Sequence, residues 1–432
     1  MKNKKNENNL SWRRLDNSAK IFPISTGKKY STVFRLSAVL KEKVEPKILE
    51  EAVNQALEKY KSFKVRMKAG FFWYYLEYNT KHPIVEEERD YPCKYIDSRR
   101  NNNYLFKVTY FENKINIDIF HSLTDGNSGT TFFKEIIYTY LELMHPEVLD
   151  EEKRRIRKIE YDTEDSYMKN YDKKAKSNAS GKKAYALKGN KIKLGAISTI
   201  HEIIDLEDLK KESKKGGATI TQYLTAVLIY AIYQENYIKA KGKRPIKVCI
   251  PVNLKKYFPS KTMSNFFSYI TVEAEMKKDN LDTFKKILNF VKKDFQKRLT
   301  EEEIVKTMST NVKLGTNPFI RLIPLALKKA IVRLSYIEIR KYTTTTFSNI
   351  GRIGIIGKYK DYIDYFLMLI APEPVEKIKC SSCTFENKMV FTFTSILQDN
   401  HIEKRFYEFL KEKGIKIEIE SNGVLDDIST KD

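Results

Sequence analysis

Residues 119–126 read Ile119-Phe120-His121-Ser122-Leu123-Thr124-Asp125-Gly126, a His-x-x-x-Asp-Gly segment. Upstream, Ile115, Ile117 and Ile119 alternate with Asn116, Asp118 and Phe120, which is the period of a strand. Downstream, apolar residues fall at helical spacing to about residue 143, and Ser128 is expected to cap that helix. His121 therefore stands where a strand gives way to a loop. A base at such a place is rigidly aimed and still within reach of a substrate. Asp125 can hold the turn, and Gly126 can let the backbone bend without a Cβ clash. The arrangement suits removal of a proton from a hydroxyl, amine or thiol during acyl transfer. A lone histidine after a strand also fits a structural role, so the case depends on what surrounds it.

Working outward, residues 104–111 and 115–120 read as a hairpin turning at 112–114. Val33–Leu40 reads as a strand and 71–78 as an aromatic strand. Between them, 46–60 is an amphipathic helix with Leu49, Ala52, Val53, Ala56, Leu57 and Tyr60 on one face. From 151 to 193 periodicity dissolves into a Lys-, Ser-, Asn- and Asp-rich run, the candidate seam between two halves. The second half opens with helices at Leu206–Lys215 and 219–237, the latter with a Thr219/Gln222 capping box. Ile246–Asn253 and 343–350 read as strands, 280–298 and 319–340 as helices. A further strand pair and a helix at 402–413 close the chain. Mixed strands and helices in both halves predict layered α/β architecture. The basic, amphipathic 319–340, with Pro324 in its first turn, is expected to cover a sheet or core rather than lie on a membrane.

The 432 residues suffice for about two or three domains. Lys plus Arg outnumber Asp plus Glu 79 to 56, a net charge of +23. A basic solvated surface, attraction of an anionic small molecule and an anionic polymer or membrane all fit that surplus. No zinc-finger spacing, RNP-like segment or arginine cluster supports nucleic acid. The cysteines are Cys93, Cys249, Cys380 and Cys383, and the lone CxxC lacks the other ligands of a zinc site. We expect ordinary thiols, no metal, and a reducing cytoplasm. The charged N-terminus does not read as a signal peptide. No window approaches about 18 apolar residues, so no membrane span is expected, while peripheral contact stays open.

Two further segments complete a pattern: Ile250-Pro251-Val252-Asn253-Leu254-Lys255-Lys256-Tyr257-Phe258-Pro259-Ser260, and Phe347-Ser348-Asn349-Ile350-Gly351. With His121-x-x-x-Asp125-Gly126 they resemble the chloramphenicol-acetyltransferase-like acyltransferases. That superfamily includes nonribosomal peptide condensation domains, mycobacterial polyketide-associated acyltransferases, wax ester synthases and alcohol acetyltransferases. Pro251-Val252-Asn253-Leu254 and Asn265-Phe266-Phe267 are most similar to the bacterial alcohol acetyltransferase-like branch.

The resemblance implies two layered α/β domains with a channel between them, the histidine midway and the two substrates entering from opposite ends. We place an N-terminal domain at 1–170, a linker at 171–192 and a C-terminal domain at 193–432. The implied reaction moves an acyl group, acetyl first, from a coenzyme A thioester to the hydroxyl of a small-molecule alcohol. No permanent cofactor is expected, and the chain is expected to be a monomer. His121 would be the base, and Gly126 would offer its N–H near the reacting carbonyl. Asp125 would be structural, pairing with Arg66. Asn253, Ser348 and Asn349 are candidates for lining the channel or binding the oxyanion. Lys255, Lys256 and Lys261, close behind the Pro-Val-Asn segment, are candidates for attracting the donor's phosphates. Condensation domains carry a second histidine where this chain has Phe120, which favours ester chemistry. The alternatives are an amide-forming enzyme with an amine or carrier-bound acceptor, and a non-catalytic relative that binds acyl thioesters.

Overall fold

Strand Lys114–Phe120 is the middle member of a five-stranded sheet. Its neighbours are Val33–Leu40 and Phe106–Phe111, both antiparallel to it. The computed structural model describes residues 12–27, 31–148, 161–175, 181–193 and 195–424, so parts of the expected seam, 151–160 and 176–180, lie outside the described residues. Helices Pro46–Lys59 and Gly126–Met144 pack together against this sheet. Leu49, Val53, Phe132, Ile136 and Tyr140 share one core with Ile115, Ile117 and Ile119. Alternation on the strand and 3.6-residue spacing on the helices thus meet in one layer, as the pattern predicts.

The fifth strand of that sheet comes from elsewhere in the chain. Ile363–Ile370 pairs antiparallel with Val33–Leu40. A division that leaves everything after residue 193 in a second domain is corrected at this strand. Tyr365, Phe366, Leu367, Met368 and Leu369 are all buried, as a strand covered on both faces requires. The remaining second-half strands form a seven-stranded sheet in the order Phe267–Ala274, Ile246–Asn253, Thr345–Arg352, Ile378–Phe385, Lys388–Ser395, Ser198–Asp205, Ile417–Ser421. Helices Ile220–Ile232, Phe284–Arg298 and His401–Glu412 cover it. Between the sheets, Val33, Val39, Leu367 and Leu369 pack against Ile203 and Val390.

Several local expectations change. Thr219 and Gln222 do form the capping box. Helix Gly126–Met144, however, is capped by Asp125, whose Oδ1 accepts from Ser128 N at 2.9 Å. The aromatic strand is Tyr74–Tyr78, paired with a strand Val65–Ala69 that the pattern did not reveal. Residues 319–340 are two helices, Pro318–Leu322 and Leu325–Arg340, because Pro324 breaks them. Cys380 and Cys383 lie within strand Ile378–Phe385. At a spacing of three they point to opposite faces, one into each core, as free buried thiols.

Candidate active site

Three constraints aim His121. Its backbone N–H donates to Thr32 O at 3.0 Å, extending the sheet pairing one residue past the strand end. Its ring stacks on Phe22, with centroids 4.5 Å apart, and meets Phe34 and Phe267 at 5.3 Å. Its Nδ1 lies 3.0 Å from Asn265 Oδ1. The amide is itself oriented by two other groups. Asn265 Nδ2 donates to Asp16 Oδ2 at 3.1 Å and to His121 O at 3.0 Å, which leaves Oδ1 facing the ring. A carbonyl oxygen can only accept, so the network assigns the imidazole proton to Nδ1. Nε2 keeps its lone pair and has no hydrogen bond among the described residues.

The electrostatics agree with that tautomer. Burial lowers the His121 pKa below its usual 6.5, with Lys379 adding to the effect, while Asp125, the backbone of His121 and Asn265 oppose it. The ring is therefore neutral near pH 7, as a base must be. Asp16, behind Asn265, is raised by burial to about 6 and accepts from the backbone N–H of Ala19 at 2.8 Å and of Asn265 at 3.1 Å.

Asp125 makes no hydrogen bond to His121. One oxygen caps the following helix, and Oδ2 accepts from Phe266 N at 2.9 Å, tying the motif loop to the second half of the chain. Thr124 adds a second tie, donating to Met263 O at 2.7 Å. Arg66 is not brought to Asp125. It stands directly opposite Glu77 in the hairpin register, and Nε donates to Glu77 Oε1 at 2.5 Å. Cross-strand charge pairing holds it there, and backbone N–H groups already occupy both Asp125 oxygens.

Gly126 opens the helix without a left-handed φ, so it does not supply the bend expected of it. A Cβ there would make ordinary contact with Ile350 Cγ2 at 3.4 Å and Met368 Cε at 3.5 Å. Gly129 is the crowded position: a Cβ would lie 3.0 Å from Ile119 Cδ1 and 3.1 Å from Phe34 Cζ, the ring edge-on to His121.

The remaining candidates separate. Asn253 caps a short turn through Lys255 N at 3.0 Å. Asn349 is committed at both ends, donating to Thr221 Oγ1 at 3.1 Å and accepting from Gly351 N at 2.8 Å. Ser348 shares a strand face with Ile350, the residue against Gly126, and its hydroxyl has no partner among the described residues. Lys255 is no entrance lysine. Its Nζ donates to Ser128 Oγ at 2.9 Å and to Thr262 O at 2.6 Å, and burial lowers its pKa. Lys256 and Lys261 are exposed. Among the described residues no group of three or more His, Cys, Asp or Glu side chains is placed to hold a metal ion, and no helix is long and apolar enough to cross a membrane.

The sequence did not single out Asn265, Asp16, Phe22 or Phe34 as site residues. Asn265 is 144 positions from His121, and only its place in the Asn265-Phe266-Phe267 segment offered a signal.

Residues 168–314 match the alcohol acetyltransferase family model. Among solved structures, TRI101 of Fusarium sporotrichioides, in complex with coenzyme A and T-2, is similar over 94% of this chain and 99% of its own, at 9% identity and a TM-score of 0.62. The chain shares the fold of TRI101. Polyketide synthase associated protein 5 of Mycobacterium tuberculosis matches over 92% of this chain and 96% of its own, at 12% identity and a TM-score of 0.57. The first condensation domain of the CDA synthetase matches over 94% and 97%, at 11% identity and a TM-score of 0.55. At these identities the structures establish the fold, and the family model places the middle of the chain with the alcohol acetyltransferases. No curated protein sequence matches the chain.

Proposed function

We propose that this acyltransferase moves an acyl group from a coenzyme A thioester to an alcohol. One observation carries the reading: His121 Nδ1 faces the Asn265 amide oxygen, which can only accept, while Nε2 has no hydrogen-bond partner among the described residues. The alcohol oxygen attacks the thioester carbonyl carbon while Nε2 takes the hydroxyl proton. The tetrahedral intermediate collapses, the carbon–sulfur bond breaks, and Nε2 returns the proton to the thiolate. The products are an ester and free coenzyme A. Ser348, the uncommitted hydroxyl on the strand face beside the motif helix, is our choice of oxyanion donor. The structures of TRI101 with coenzyme A and with T-2 or deoxynivalenol support a thioester donor and a hydroxylated acceptor. Lys256 and Lys261 are the proposed donor-attracting charges.

The test is to offer acetyl- and longer acyl-coenzyme A with a panel of alcohols and amines and to follow thiol release and product mass. Ester formed in step with thiol supports the reading. Amide alone would favour the condensation-type alternative, and acyl-thioester binding without release would favour a non-catalytic relative.

A further inference from the structure

Helix Leu325–Arg340 is turned inside out for a helix in water. Leu327, Ile331 and Leu334 recur at helical spacing on one face, and Leu334 is 72% exposed. The opposite side buries charge. Lys328 is 1% exposed, donates to Phe72 O at 3.0 Å and lies 3.5 Å from the centroid of the Trp73 ring. Arg340 turns inward to Glu373 and Glu376. An ordinary surface helix does the reverse.

The apolar face continues into its neighbours. Phe319 and Leu322, on helix Pro318–Leu322, are 81% and 69% exposed. Phe71, 73% exposed, is at the tip of the Val65–Ala69/Tyr74–Tyr78 hairpin, and its carbonyl accepts from Leu325 N at 2.8 Å. One patch thus runs from the hairpin tip along both helices. Patches of this kind mark interaction sites.

Charge identifies the occupant. Residues 317–342 place four basic side chains at the surface, Arg321, Lys329, Arg333 and Lys341, while Lys328 and Arg340 turn inward; the one acid there is Glu338. That acid is itself paired with Lys183 and Lys341. An apolar stripe rimmed by cations complements an anionic headgroup layer over acyl chains. A second copy would set the same basic rim, on a chain of net charge +23, against itself. We propose that this face docks on the surface of an anionic phospholipid bilayer, with the helix lying in the interface plane. The helix also packs against Phe22–Ser25, whose Phe22 stacks on His121, so the docked helix lies beside the site. Docking does not depend on the transfer chemistry.

The test is co-sedimentation of the full chain with phosphatidylcholine vesicles, with and without phosphatidylglycerol. Wild type should bind the mixed vesicles and bind phosphatidylcholine alone weakly. The triple variant Leu327→Glu, Ile331→Glu, Leu334→Glu should keep its melting temperature and lose about tenfold or more of the bound-to-free ratio, since binding scales with buried apolar area. Phe319→Trp, a fold-sparing substitution at an exposed site, should shift its added emission to the blue on mixed vesicles. No vesicle binding at low salt, equal binding by the triple variant, or unshifted Phe319→Trp emission each overturns docking. A wild-type dimer that the triple variant dissolves, without vesicle binding, would assign the face to a second copy instead.

Discussion

His121 and His201 both lie in strand-rich surroundings, and burial lowers the pKa of both. His201 is within strand Ser198–Asp205, is 7% exposed, and is pushed to about 3, with Lys114 and Arg35 adding to the effect of burial. Its Nδ1 lies 2.9 Å from Thr392 Oγ1 on the paired strand. His121 is one residue past its strand, half-buried, with an amide on Nδ1 and, among the described residues, no partner on Nε2. A depressed pKa therefore does not distinguish a base from a core residue. Position at the strand end, and a partner that fixes one nitrogen while leaving the other open, do.

Substitution should separate the two rings most strongly. His121→Ala should cut acyl transfer by about 10²–10⁴-fold with little change in melting temperature. His201→Ala should leave turnover near wild type and lower stability by about 1–3 kcal/mol, because a buried hydroxyl loses its partner. Equal loss of turnover in both variants would collapse the distinction. Next comes Asn265→Ala, which frees the imidazole to rotate or change tautomer. We expect roughly 10²-fold lower kcat, the scale of a small misplacement at a reacting centre. Asn265 also opposes the lowering of the His121 pKa, so the acid limb of the pH profile should move to lower pH. A merely structural asparagine would leave that limb in place.

Asp125→Asn should cost about 1–3 kcal/mol of stability, measured by chemical denaturation, with a smaller effect on turnover. Asparagine can still accept from Ser128 N but would turn a donor toward Phe266 N. A variant of full stability that had lost turnover would make Asp125 part of the chemistry. The pH responses should also divide. In wild type, turnover should fall on acidification only below the ordinary histidine value of 6.5, because burial lowers the His121 pKa. At His201 the folded chain binds fewer protons than the unfolded chain between about 3 and 6.5. Its contribution to stability is complete above 6.5 and is lost as pH falls toward 3. Glu403, raised by burial to about 8 from 4.5, acts oppositely: its contribution is complete below 4.5 and lost as pH rises toward 8. Melting temperature against pH should lose more of its acid slope in His201→Leu than in His121→Ala, because both pKa values are lowered and the His201 shift is the large one. The smallest effect expected is at the exposed lysines. Lys256→Gln with Lys261→Gln should raise KM for the thioester at low salt by a few fold and leave kcat unchanged. An unchanged KM would move the donor entrance elsewhere.

The strand-end histidine was legible because local periodicity determines it: the alternation at 115–120 and the helical spacing after it leave His121 at the junction. What aims the ring was not legible. Asn265 and Asp16 reach it through tertiary contacts between the two ends of a long stretch of chain, and no local pattern encodes such contacts. Arg66 was assigned from resemblance, but Glu77 stands opposite it in a hairpin whose first strand the sequence reading missed. The switch of Ile363–Ile370 into the first sheet escaped for a related reason. An apolar strand reads the same whichever sheet it joins. Residues 319–340 show a further limit, because spacing identified an amphipathic helix and could not say which face would point outward.

The Asn265 amide oxygen facing His121 Nδ1 assigns the ring proton to that nitrogen and leaves the lone pair on Nε2. Nitrogen NMR of histidine-labelled protein at neutral pH, with His121 assigned by its absence from His121→Ala, tests this most directly. We expect a neutral ring protonated at Nδ1, and loss of that preference in Asn265→Ala. A ring protonated at Nε2, or a doubly protonated imidazolium, would contradict it.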